Sequence, residues 1–559
     1  MPTIHFKGKT FLQNYHHSVK FHNLVAKKDK GLSKSPSLDD NLIIHGDNLK
    51  ALKALLPTHA GKIKCIYIDP PYNTGNENWV YNDKVASPMI QKWLGEVVAK
   101  DNLTRHDRWC CMMYPRLTLL RELLNEEGVI FISIDDNEAH HLRMLMDDIF
   151  GEENFIADIC TQLNPRGRTL DKFFAKTHEY ILCYGKNALK SNSINFLDKE
   201  GKEIDQYRNS DTNGKFRELE LRNRNPVFNR ENRPNLYYPF YANPLTKSVS
   251  LAKTNEFTIT ILPVNLKGED GCWTWGKDKS KENLGKLVAK PTKEGKWRVF
   301  RKDYLYSKDG QLAQTKAKAI WLEKEINNEK GKEMMNEVFG KPIFDFPKSV
   351  ALIEKCVKLG SSKDSIILDS FAGSGTTAHA TLSLNKKDGG NRKFILVECE
   401  DYADKITAER MRKVIKGIPT AKDKDLKKGL GGAFSYYELG EPVEIDNLLE
   451  GKSLPEYEDL AKYAFFMATG EQFNTKKIDE KTFHIGTSNT FEVFLIYAPD
   501  KKKLKDMALN IDFAEKINSK FPTRQKLVFA PACFMEDYNL KELNIRFAQL
   551  PFEIYRMAE

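Results

Sequence analysis

Asp69-Pro70-Pro71-Tyr72 places a carboxylate, a stiffened backbone and an aromatic face in four consecutive positions. The run before it, Ile63 to Ile68, reads as a buried strand; proline cannot donate to a sheet ladder, so the backbone must leave the sheet at this point. A carboxylate that accepts one N–H, with a backbone carbonyl accepting the other, can draw a conjugated amine toward a geometry with an available lone pair. The proline pair keeps both acceptors aimed. Tyr72 offers a face for stacking a base that has left its duplex, where the amine is out of reach. That is the chemistry of alkylating an exocyclic amine; the alternative is an extended loop with Asp69 as a turn residue.

A second motif sits three hundred positions downstream. Asp369-Ser-Phe371-Ala372-Gly373-Ser374-Gly375-Thr376-Thr377 lies between a buried strand, Ile366 to Leu368, and a helix. Gly373 and Gly375 permit a tight turn and a close ligand approach. Glu398 ends the next strand about twenty-five residues later, placed to accept hydrogen bonds from ribose hydroxyls. The spacing departs from G-x-G-x-x-G and no lysine follows the glycines, which disfavours a pyrophosphate. S-adenosylmethionine (AdoMet), an adenosine without phosphate, fits better. Both motifs follow strand ends, and in a doubly wound sheet ligands sit beyond the carboxyl ends of the strands. The two share a cleft only if those strands are neighbours.

The elements that must position them follow an α/β rhythm. LIIHGDN reads as strand and turn, LKALKALL as helix, PRLTLLRELLNEEG as a helix stopped at Gly128, and VIFISIDD as strand. NEAHHLRMLMDDIFG then reads as helix and HEYILCYGK as strand, a pattern that predicts a mostly parallel sheet covered on both faces. Residues 1–40 read as an N-terminal arm, 41–189 as the catalytic half and 336–419 as the cofactor half. Residues 420–559 read as a C-terminal α/β domain for dimer or partner contacts. Between the halves, 190–335 breaks the rhythm and is rich in Asn, Lys and Arg. Residues 221–320 hold 20 basic against 9 acidic side chains, an excess of 11 where the whole chain has +10, which suits a polyanion-binding insert.

The 559 residues imply several domains, and 41% hydrophobic with 29% charged residues describes a globular protein. No apolar run reaches the ~18 residues of a membrane span and the N-terminus lacks a signal-peptide core, so a cytoplasmic enzyme is expected. Nine scattered cysteines without a C-x-x-C pair fit a reducing compartment. His16, His17 and His22, and His140 with His141, lack metal-ligand spacing supported by Cys or Asp, so no metal is expected. No cysteine follows a proline, which argues against a covalent route at a cytosine carbon.

The order of parts, DPPY before FAGSGTT with a variable segment between, resembles the beta group of amino-methyltransferases. More narrowly, DPPYNTGNENWVYND, ISIDDNEAHH, HEYILCY, NRPNLYYPFY, FDFPKSV and LPEYEDLAKYAFFMATG resemble the modification subunit of type III restriction–modification systems, from about residue 40 onward. The resemblance implies a circularly permuted Rossmann-like methyltransferase sheet that uses AdoMet. Asp69, Pro70, Pro71 and Tyr72 would form the catalytic loop; Asp369 to Thr377 the cofactor turn; Glu398 the ribose acceptor. It further places Asp47, with Asn48, near the cofactor adenine and Lys348 beside the methionine end. Residues 190–335 correspond to a target recognition domain, in which Arg222, Arg224, Arg230, Arg233, Tyr237, Tyr238, Trp273 and Trp275 are candidate DNA contacts. The resemblance implies a homodimer that methylates the 6-amino group of adenine in double-stranded DNA and recruits an ATP-dependent nuclease subunit. The chain has no G-x-x-x-x-G-K-[ST] loop for ATP. Cytosine N4 methylation, a solitary regulatory enzyme and an RNA substrate remain as rivals.

Overall fold

The computed structural model describes residues 4–74, 104–167, 172–189, 193–265, 267–307, 309–442, 454–474 and 478–550. Packing divides the chain into two units, Met1–Asn195 with Lys318–Glu559, and Phe196–Ala317.

Short runs dense in Ile, Leu, Val and Phe build the larger unit's sheet, as β-branched and aromatic side chains suit a pleated, buried surface. Its strands are β1 (His22–Ala26), β2 (Leu42–His45), β3 (Ile63–Ile68), β4 (Leu124–Ile134) and β5 (Phe155–Gln162). Then come β6 (His178–Gly185), β7 (Ile320–Trp321), β8 (Ile366–Asp369), β9 (Lys393–Glu398) and β10 (Ser435–Pro442). They lie in the order β1-β10-β2-β9-β8-β3-β4-β6-β5-β7. From β10 to β4 every pairing is parallel; β6 is antiparallel to both neighbours, and β1 is antiparallel to β10.

Alternate residues along a strand serve opposite faces. Leu42, Ile44, Ile395 and Val397 pack with helices α1 (Asn48–His59), α2 (Arg105–Leu123) and α3 (Ala139–Phe150). Ile43, Phe394 and Leu396 pack on the other side with α5 (Thr376–Asp388) and α6 (Glu409–Lys416), while α4 (Val350–Gly360) lies against α5. The sheet is therefore doubly wound, as expected. No described helix is long and apolar enough to cross a membrane.

Four expectations are corrected. Residues 4–26 are not an arm: Leu12 and Val19 are buried and β1 closes one edge of the sheet. Gly128 does not stop a helix; α2 ends at Leu123, and Gly128 lies inside β4, where a Cβ would sit 3.0 Å from the Ile63 carbonyl oxygen. The insert is Phe196–Ala317 rather than 190–335, because the helix Asn328–Phe339 packs against α4 and α6 of the larger unit. The C-terminal segment does not separate at 420, since β10 pairs with β2. Beyond it, strands His484–Thr487, Phe491–Leu495, Gln525–Ala530 and Ile545–Gln549 form a sheet with the helix Tyr457–Thr469 packed on it.

Candidate active site

The two motifs meet because β3 and β8 are adjacent and parallel, with Leu368 opposite Ile66. Asp69-Pro70-Pro71-Tyr72 leaves the carboxyl end of one and Ser370 to Gly375 the carboxyl end of the other. Both line one cleft of about 1310 Å³, with Asp47, Asn48, Lys348 and Glu398.

At the catalytic loop, the Tyr72 hydroxyl lies 2.7 Å from Asp69 Oδ1 and 2.9 Å from Glu179 Oε2, and its one proton can serve only one carboxylate at a time. Lys348 Nζ donates to Tyr72 Oη at 2.6 Å and to Glu179 Oε2 at 2.7 Å, and stands 3.3 Å from Asp69 Oδ1. Burial pushes the Asp69 carboxyl above its ordinary value, against the pull of the Lys348 ammonium. Burial also works against the charge on Lys348, but the Asp69 and Glu179 carboxylates outweigh it and hold the ammonium above the usual lysine value. The Lys348 side chain thus bonds the catalytic loop, while its carbonyl accepts from Thr376 Oγ1 of the cofactor turn at 3.4 Å. Its residue precedes α4, whose N-cap Ser349 accepts from the Ala351 N–H.

The loop backbone is held from beneath. Trp109 Nε1 on α2 donates to the Pro71 carbonyl at 2.6 Å. Asn73, left-handed at φ 56°, donates to the buried Glu138 Oε1 at 2.5 Å and to the Arg105 carbonyl at 3.2 Å. Glu138 also sits 2.7 Å from Nδ1 of both His106 and His141. The sequence showed no metal-ligand spacing here, yet the fold gathers these three side chains with ligating atoms within 4.8 Å. Both imidazoles bond the carboxylate that accepts from Asn73.

At the cofactor turn, Glu398 Oε2 accepts the Gly373 N–H at 2.6 Å and Oε1 accepts the Glu400 N–H at 3.0 Å. Burial nonetheless pushes the Glu398 carboxyl up to about 7, and Asp369 likewise to about 7. Asp369 accepts from Thr377 Oγ1 at 2.5 Å and the Phe371 N–H at 3.0 Å, so it shapes the turn from below. Gly373 and Gly375 have φ of 52° and 77°; a Cβ on Gly375 would lie 3.2 Å from Thr407 Cγ2. Ala372 and Ser374 are buried, and the Arg410 guanidinium donates to Ser374 Oγ at 3.0 Å and Thr376 Oγ1 at 2.9 Å. The Asp47 carboxylate caps α1, and Asn48 Nδ2 donates to the Ser370 carbonyl at 3.0 Å while its Oδ1 accepts from Arg116 Nε. Asn48 thus ties α1 to the turn.

Trp109, Glu138, Glu179, Arg116 and Arg410 were missed by sequence reading. Each lies far along the chain from the motif it supports; only the acid inside HEYILCY, at a strand start, was a usable signal for Glu179.

In the smaller unit the candidate contacts separate into surface and core. Arg224 is exposed, reaching Glu220 Oε2 at 3.3 Å. Arg230 lies over the Tyr237 ring, whose hydroxyl donates to Asp270, and Arg233 over Phe228. Arg222 is held at 3.1 Å by Glu220 Oε1. Tyr238, Trp273 and Trp275 are buried together: Trp273 Nε1 donates to the Tyr238 carbonyl, and the Tyr238 hydroxyl to the Trp275 carbonyl. These three build the unit's core, a correction to the expectation that they stand on its surface as DNA contacts.

The family model described as DNA methylase matches residues 63–409. The EcoPI Mod subunit of a type III restriction-modification enzyme from Escherichia phage P1 is 35% identical over 70% of this chain and 64% of its own length. The type II methyltransferase M.KpnI of Klebsiella pneumoniae is 36% identical over 66% of this chain and 82% of its own. The StyLTI Mod subunit of Salmonella typhimurium is 31% identical over 73% and 62% respectively. The chain thus spans less than two thirds of the length of the type III subunits it matches.

Proposed function

Because the chain belongs to the DNA methylase family, we propose that it is an AdoMet-dependent methyltransferase acting on the 6-amino group of adenine in duplex DNA, serving as the modification and recognition subunit of a type III restriction–modification system. The observation that carries this reading is the adjacency of β3 and β8, which sets a stiff carboxylate loop beside a phosphate-free nucleoside turn in one cleft.

The cleft suits the cofactor's chemistry. Glu398 and the left-handed Gly373 both line the cleft, where Glu398 can accept from ribose hydroxyls, and no lysine follows the glycines to hold a phosphate. When bound, AdoMet supplies a methyl group on a sulfonium. The protein's part is to present the amine: Asp69 Oδ accepts one N–H, the Pro70 carbonyl accepts the other, and Tyr72 stacks on the extruded ring. Lys348 and Glu179 hold the Tyr72 hydroxyl, and the Lys348 ammonium balances the charge on Asp69 against the repulsion of the Glu179 carboxylate. The excess of cations in 221–320 suits recognition of duplex phosphates by the smaller unit. Assembly as a homodimer with a separate ATP-dependent nuclease subunit belongs to the same reading.

Sequencing at base resolution of DNA from cells expressing this chain alone, with mass spectrometry of its nucleosides, tests it. 6-Methyladenine at one recurring site is expected, and its loss in Asp69→Ala. Finding 4-methylcytosine alone, or full activity of Asp69→Ala, overturns it. A solitary methyltransferase is the second reading, favoured by the 82% of M.KpnI that the match covers; purification with no nuclease partner would support it.

A further inference from the structure

The connector between β5 and β6 bears two features the mechanism does not use. Its ends line the cleft, with Asn164 and Arg166 on the way out and Lys176 and Thr177 on the way back. Its base is pinned: the Asn164 N–H donates to the Thr177 carbonyl at 3.1 Å, and a Cβ on Gly167 would lie only 2.6 Å from the Ala175 Cβ. Beyond that pinch, the consecutive residues Phe173 and Phe174 are 83% and 87% exposed. Cations stand around them: Lys172, 5.1 Å from the Phe173 ring centre, with Arg166 and Lys176 at the base, Lys176 also held at 2.9 Å by Asp136.

Two phenyl rings held in water are unfavourable for the isolated chain, so a partner is expected to cover them. An apolar tip with cationic shoulders fits a polyanion whose interior is a stack of flat apolar rings, namely duplex DNA. Extruding a base leaves a gap that its neighbours close unless an apolar side chain fills it. Resting on the function proposed above, we infer that Phe173 and Phe174 enter the duplex beside the cleft and occupy the space the extruded base leaves. The loop then holds the target out of the stack while the catalytic loop grips it.

The test uses the full chain with Phe173→Ala and Phe174→Ala combined, on oligonucleotide duplexes carrying the site at which the wild type methylates plasmid DNA. Because both rings are exposed, the variant should fold and bind AdoMet as the wild type does, as checked by circular dichroism and calorimetry. On the paired duplex kcat/KM should fall about tenfold or more. On the same duplex with an abasic position opposite the target it should fall by about twofold at most, because less pairing and stacking must be replaced. 2-Aminopurine at the target position should brighten less on binding the variant. Near wild-type methylation of the paired duplex overturns the inference and leaves the rings to a protein partner; equal losses on both duplexes overturn it too, leaving plain affinity. A wild-type chain that methylates no plasmid DNA refutes the underlying function instead, before any variant is made.

Discussion

Replacing Lys348 with methionine removes a cation that stands between two carboxylates. Its Nζ is 3.3 Å from Asp69 Oδ1 and 2.7 Å from Glu179 Oε2. At an effective dielectric of about 20, a charge pair at the longer distance is worth about 5 kcal/mol as an upper bound. Glu179 shares the cation and Asp69 is 27% exposed, so the effect on Asp69 should be smaller. Opposite charges at such range shift a carboxyl by about 1–3 pH units, or about 1.4–4 kcal/mol. Burial already lifts Asp69 and Lys348 pulls it down, so the variant should lift it further. Asp69 must be ionised to accept the amine, so activity should be lost on the acid side first. The assay is kcat/KM for methylation against pH, whose acid limb reports the free enzyme. That limb should move upward by about 1–3 units in Lys348→Met and much less in Lys348→Arg, with near-normal AdoMet affinity. An acid limb superimposed on the wild type would refute the electrostatic reasoning. A large loss of AdoMet affinity with an unmoved limb would return Lys348 to the cofactor.

Trp109→Phe keeps the packing but leaves the Pro71 carbonyl without its donor. Stability should fall by about 1–2 kcal/mol in urea unfolding and kcat should fall more than AdoMet affinity does, since the loss lies under the catalytic loop. Asp369 and Glu398 keep protons up to about 7 when folded but release them near 3.8 and 4.5 when unfolded. Their contribution is therefore full below about 4 and fades as pH rises through about 7. The Tm without cofactor should carry a falling component across that window, and Asp369→Asn with Glu398→Gln should flatten it. Tyr238→Phe strips the hydroxyl from Trp275 O and Ser280 Oγ, so it should destabilise the smaller unit by about 1 kcal/mol without changing site preference in methylation sequencing.

Local chemistry was legible along the chain. Prolines after an apolar run, glycines between strand and helix, and an acid at the end of the next strand each follow from what one residue permits its own backbone, so both loops and the strands feeding them could be read directly. The excess of cations in 221–320 was legible for the same reason, as a property of composition. Adjacency was not. That β8 lies against β3, three hundred positions away, is a matter of sheet order, and many orders satisfy the same alternation of apolar and polar residues. Nor could the sequence tell surface from core among aromatics: Tyr237 reaches Asp270, while Tyr238 is buried with Trp273, because neighbouring residues on an extended chain point opposite ways. Lys348 shows the limit most plainly. The helix that follows it was recognised, but the direction of a long, flexible side chain is chosen by the carboxylates that packing brings within reach, and those came from the loop after β3 and from β6.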